Sequence, residues 1–60
     1  MTVTGYDILI NGVWRSFRDR AAVAFEAARY AKSQYPHDDV QVRKPDGSVV
    51  TMRVDGRTDG

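Results

Sequence analysis

The chain has 60 residues, 42% of them apolar and 28% charged, with nine Lys and Arg against eight Asp and Glu and no cysteine. That length holds one small domain, and the apolar fraction is that of a folded globular chain rather than a disordered one. Disulfides and thiolate chemistry are excluded, and a net charge of +1 gives no electrostatic pointer to a nucleic-acid or membrane partner.

No stretch approaches the ~20 consecutive apolar residues of a membrane-spanning helix. Met1 to Gly5 lacks a basic start followed by an apolar run. No secretory signal is therefore expected, and the protein reads as cytoplasmic with no membrane partner.

In chain order, the first element is a hairpin. Asn11-Gly12 sits between Tyr6-Asp7-Ile8-Leu9-Ile10 and Val13-Trp14-Arg15-Ser16-Phe17. An Asn-Gly pair between β-rich segments favours a two-residue type I′ turn, because both central positions need positive φ. The implied register sets Ile10 against Val13, Ile8 against Arg15 and Tyr6 against Phe17. One face then carries Tyr6, Ile8, Ile10, Val13 and Phe17, with Arg15 intruding, and is assigned to the core. The other face carries Asp7, Leu9, Trp14 and Ser16.

Asp19 reads as a helix N-cap, and Arg20 to Gln34 contains six alanines and neither Gly nor Pro. Pro36 ends the helix near Tyr35. On a helical wheel the apolar stripe centres on Ala24, Ala27, Ala28 and Ala31, flanked by Val23, Tyr30 and Tyr35. Phe25 falls toward the polar side with Arg29 and Lys32, and Glu26 is placed to pair with Arg29.

A second hairpin follows. Val40 to Arg43 and Val49 to Val54 alternate as half-buried strands do, and Pro45-Asp46-Gly47 forms the turn. The register pairs Lys44 with Ser48, Val42 with Val50 and Val40 with Met52. Val54 joins the inward set, while Gln41, Arg43, Val49, Thr51 and Arg53 face outward. Residues 1–55 are expected to form a single domain and 56–60 a disordered polar tail, with no internal repeat.

The reading is an α+β fold, ββαββ, in which one helix covers one face of a four-stranded sheet. Arg15 on the core face calls for a sheet edge past which its stem can snorkel. Asp38, Asp39 and Lys44 bracket the third strand with charges that blunt an edge. Together these predict strand order 2-1-4-3 with a parallel central pair.

The pattern Phe17-x-Asp19-Arg20, then Ala24, Ala27, Ala28 and Ala31, then Val40-x-Val42 and Asp46-Gly47, resembles a group of small bacterial ββαββ proteins of unassigned function. The resemblance covers roughly residues 6 to 54. It implies the fold and no particular chemistry.

Chemistry is sparse. His37, the one histidine, is followed by Asp38 and Asp39, but consecutive side chains diverge and nothing else completes a ligand shell. Asn11-Gly12 and Asp46-Gly47 are turn glycines without the strand–loop–helix setting of a phosphate loop. No catalytic, cofactor or metal site is expected. The sheet face away from the helix is more informative, because it displays Leu9, Trp14, Arg43, Val49 and Arg53. Trp and Arg recur at energetic hot spots, so this face or a sheet edge is expected to meet a protein partner or a second copy. The alternative is single-stranded nucleic acid, its bases stacked on Trp14 with Arg43 and Arg53 along the phosphates.

Overall fold

The computed structural model describes residues 4–59. The expectation for the N-terminal segment thus lies largely outside the described residues, as does Gly60. The elements are β1 (Tyr6–Ile10), β2 (Val13–Arg18), α1 (Ala21–Gln34), β3 (Val40–Arg43), β4 (Val49–Met52) and β5 (Thr58–Asp59). They form an α+β domain with one helix against an antiparallel five-stranded sheet, ordered β2-β1-β3-β4-β5.

The predicted order 2-1-4-3 is corrected. β3 pairs antiparallel with β1, and no parallel pair forms among the described residues. The β1–β3 pairing is accompanied by a clamp that composition does not show, one bond between backbone groups and one to the Asn11 side chain. Asn11 N–H donates to the Asp39 carbonyl at 2.8 Å, and Asp39 N–H donates to the Asn11 side-chain oxygen at 2.9 Å. These two bonds continue the β1–β3 ladder beyond Ile10↔Val40 into the hairpin turn. The charges around β3 therefore flank a central strand and do not blunt an edge: Val40 and Val42 are both fully buried.

Local turn chemistry holds as read. Asn11 and Gly12 take φ of 54° and 79°, the two positive values a type I′ turn requires. Lys44 N–H donates to Ser48 O, and Val42↔Val50 and Val40↔Met52 pair as the Pro-Asp-Gly turn dictates.

The first hairpin departs from its simple register. Ile10↔Val13 and Leu9↔Trp14 pair as expected, but Ile8 then faces Ser16 and Asp7 faces Phe17. Arg15 is the extra residue of a β-bulge, exposed and opposite nothing. One inserted residue reverses the alternation beyond it, so Phe17 moves to the helix-free face, and Arg15 need not snorkel from the core.

The helix begins at Ala21 after Arg20, with no side-chain cap, so Asp19 does not serve as N-cap. At the other end Tyr35 is the C-cap, its N–H donating to the Ala31 carbonyl. The buried stripe is Ala24 and Ala28, with Phe25 and Ala31 packed beside them on Val40, Val42 and Met52. The helix is rotated from the predicted wheel: Phe25 turns inward to meet Tyr6, ring centroids 6.3 Å apart, whereas Val23, Tyr30 and Tyr35 stay exposed. Alanine at the closest approach leaves room for that larger ring at the margin.

Beyond β4 the chain does not trail away. Val54 is 71% exposed in a turn, not inward on a strand. Arg53 N–H donates to Arg57 O at 2.8 Å, Gly56 N–H to Arg53 O at 3.0 Å, and Arg57 N–H to the Asp55 carboxylate at 3.0 Å. The turn at Lys44 to Ser48 makes the same three bonds at 2.8, 3.0 and 2.9 Å. Gly47 and Gly56 have φ of 91° and 85°. The second Asp-Gly turn is thus a copy of the first, nine positions later, and it returns Thr58–Asp59 to β4 as a fifth strand. The expected disordered tail and absence of a repeat are both corrected here.

Candidate functional site

The helix covers the face bearing Ile8, Val40, Val42, Val50 and Met52. The registers fix the opposite face as two cross-strand rows. One runs Trp14, Leu9, Gln41, Thr51, and the next runs Phe17, Asp7, Arg43, Val49. The lone indole is outside, 55% exposed.

Asp7 organises this surface. Its Oδ1 accepts from Trp14 Nε1 at 3.1 Å, and its Oδ2 accepts from Arg43 Nε at 3.2 Å and Nη2 at 3.0 Å. The carboxylate thereby fixes the edge of the indole and both donating nitrogens of one guanidinium. Those bonds to the charged form, the indole N–H first and the guanidinium second, hold the Asp7 carboxyl below the usual 3.8. Asp7 and Arg43 are part-exposed, so the ion pair positions more than it stabilises.

Because the folded carboxyl is the stronger acid, its stabilising contribution is present above pH 3.8 and is lost as pH falls through the lower folded value. The Asp7→Asn variant is therefore expected to be less stable than wild type at neutral pH. That gap should close below about pH 3.8 in urea melts taken across the acid range. A gap independent of pH would assign the loss to geometry instead of charge.

Beside this cluster lies an open concavity of ≈ 600 Å³, walled by Trp14, Phe17 and Pro45 with Asp7, Arg43 and Lys44 around them. The bulge at Arg15 is what brings Trp14 and Phe17, three positions apart, to one side of the strand. A regular strand would separate them. Gly5 lets the Phe17 ring lie against the backbone, since a Cβ there would collide with Phe17 Cζ and Cε2.

No family model, curated protein or solved structure matches the chain.

Of the five residues expected on this surface, Leu9, Trp14, Arg43 and Val49 share the helix-free face. Arg53 lies past the end of β4, four positions beyond Val49, the partner of Arg43. At ~3.3 Å per residue that puts roughly 13 Å between the two arginines along the strand direction. Arg43 is engaged by Asp7, and among the described residues its neighbours on this face toward Arg53 are Val49, Gln41 and Thr51, none of them basic. Sequence reasoning missed Asp7 and Phe17 as site residues. The signal for Phe17 was Arg15 itself, a charge on an otherwise apolar face that a bulge removes.

His37 is exposed after the helix, and among the described residues no three His, Asp or Glu side chains are placed to hold a metal ion. No helix among them is long and apolar enough to cross a membrane.

Proposed function

We propose that this protein is a non-enzymatic interaction module that associates with a second copy of itself through the helix-free sheet face, centred on Trp14. The observation that carries the reading is a half-exposed indole locked in orientation by Asp7. A side chain left free would lose rotamer entropy on docking, and one already held does not. Leu9, Phe17 and Val49 add apolar area around it, and Arg43 supplies a guanidinium at the rim. Asp7 and Arg43 balance one another, so a two-fold axis through this face brings no unpaired like charges together there. Covering the apolar part of Trp14 contributes ~25 cal/mol for each Å² removed from water. That matters for a chain of 60 residues, whose core alone gives a thin folding margin.

The sheet edges support the reading less well. β2 is interrupted by its bulge, and β5 offers two residues, so neither presents a long regular ladder to a partner strand. Single-stranded nucleic acid, the other candidate partner, finds on this face one exposed aromatic, Trp14, and two arginines, Arg43 and Arg53, that lie far apart.

Trp14 is the sole tryptophan, so its fluorescence reads the surface directly. A concentration series is expected to shift its emission to the blue in step with dimer mass in sedimentation, and Trp14→Ala to weaken association by about tenfold or more. A monomer at every concentration with unchanged emission overturns the proposal. Quenching by an oligonucleotide, lost at raised salt, would replace it with the nucleic-acid reading.

A further inference from the structure

A second concavity, of ≈ 460 Å³, lies between the helix and the duplicated turn, lined by Phe25, Arg29, Gly56, Arg57 and Thr58. Its two arginines come from different elements and converge. Arg29 projects from the helix over Gly56, its Cδ and Nε 3.7 and 3.8 Å from where a Cβ of that residue would stand. Gly56 is left-handed, at φ 85°, so the turn both requires glycine and leaves this space unfilled.

The charges here are under-used. Glu26 sits one helical turn before Arg29, the spacing at which a pair ordinarily closes, yet no carboxylate among the described residues lies within ion-pair distance of Arg29. Arg57 reaches Asp55 only at 3.8 Å, with its side chain 82% exposed. That carboxylate is already committed to the turn, where Asp55 accepts the Arg57 N–H at 3.0 Å. Thr58 is the partner of Met52 and so faces the helix side of the sheet. Phe25, half-buried and set against Tyr6, supplies an apolar floor.

We infer that this concavity binds a small phosphate monoester, its terminal oxygens held by Arg29, Arg57 and the Thr58 hydroxyl and its organic body resting on Phe25. Each guanidinium presents five N–H donors in a planar fork, a match for three terminal oxygens that a carboxylate offers only in part. A monoester carries a charge of roughly −1.5 to −2 at neutral pH, which suits two arginines. The volume is within the range of small-ligand sites, ~300–1,000 Å³. Binding would tie the helix to the third hairpin, whose strand β5 is two residues long. The site lies on the opposite side of the sheet from Trp14 and does not depend on the self-association proposed above.

The test is a ¹H–¹⁵N NMR titration of the full chain with phenyl phosphate and, separately, inorganic phosphate, against chloride at matched ionic strength. The Arg29 and Arg57 Nε–H signals and the Gly56 to Thr58 amides are expected to shift saturably with phenyl phosphate. Inorganic phosphate, which lacks a body to rest on Phe25, should bind more weakly. Arg29→Gln and Arg57→Gln, both at exposed positions, should each weaken binding about tenfold or more. The Trp14 indole signal should stay in place, which separates this result from any change of oligomeric state. Shifts no larger than those with chloride, or undiminished in Arg29→Gln, overturn the proposal.

Discussion

Replacing Met52 by alanine is expected to remove a large share of the stability of this domain. Met52 is 2% exposed and packs with Val40, Val42, Ala24 and Ala28. Truncating a buried methionine costs about 2–5 kcal/mol, the transfer free energy of the lost atoms plus the cavity left behind. A chain of this length has roughly 3–9 kcal/mol in total, at ~0.05–0.15 kcal/mol per residue. The cavity cannot close readily, because alanines already hold the helix near the sheet and cannot extend into the space. Thermal melts should show a fall in Tm of about 8 °C or more, at ~4–8 °C for each kcal/mol in a small domain. Met52→Leu, which conserves volume, should cost less than about 1.5 kcal/mol. A small loss in Met52→Ala would mean that β4 moves in to fill the gap.

Gly5→Ala is expected to destabilise the domain for the opposite reason. The added Cβ would collide with Cζ of Phe17 and stand 2.6 Å from its Cε2 and 2.8 Å from the Arg18 carbonyl. The ring must move, and the carbonyl, which belongs to a strand fixed by Tyr6↔Arg18 pairing, must shift as well. Overpacking of this kind costs about 1–3 kcal/mol. The variant should also change Trp14 emission, because Trp14 and Phe17 wall the same concavity. Pairing it with Phe17→Ala should recover part of the loss, a non-additivity that urea melts of the two single variants and the double variant measure. Strict additivity would show that the ring and Gly5 do not meet.

What the sequence made legible follows from range. Asn11-Gly12, Pro45-Asp46-Gly47 and the stop at Pro36 act over a few residues, and each produced the element it implied. β3 begins at Val40 and ends at Arg43 as alternation required. The outward position of Trp14 was legible too, because it lies between the turn and the bulge, where parity is still set by Asn11-Gly12. Phe17 lies beyond the bulge and was misplaced by one residue of register. Strand order depends on which edge the returning chain meets, and the Asn11–Asp39 bonds that accompany that choice join residues 28 positions apart. Phe25 was misassigned because an alanine-rich helix has a shallow apolar gradient around its axis, so one ring against Tyr6 outweighs the wheel. The fifth strand is hard to see in the sequence because it has only two residues and a polar setting, although Asp55-Gly56 repeats Asp46-Gly47 letter for letter.

That duplication has a bearing on how the domain can change. Each Asp-Gly corner closes its hydrogen bonds on its own backbone and its own aspartate, with none to the helix or to β1. The far margin of the sheet is therefore assembled from successive nine-residue lengths, a strand and a corner apiece. Chain could be gained beyond β5 in whole lengths while the Asn11 clamp and the indole stay where they are, whereas shedding β4 would take Val50 and Met52 out of the core. The opposite margin has no such freedom, since adding or losing one residue near Arg15 turns an aromatic ring to the other side.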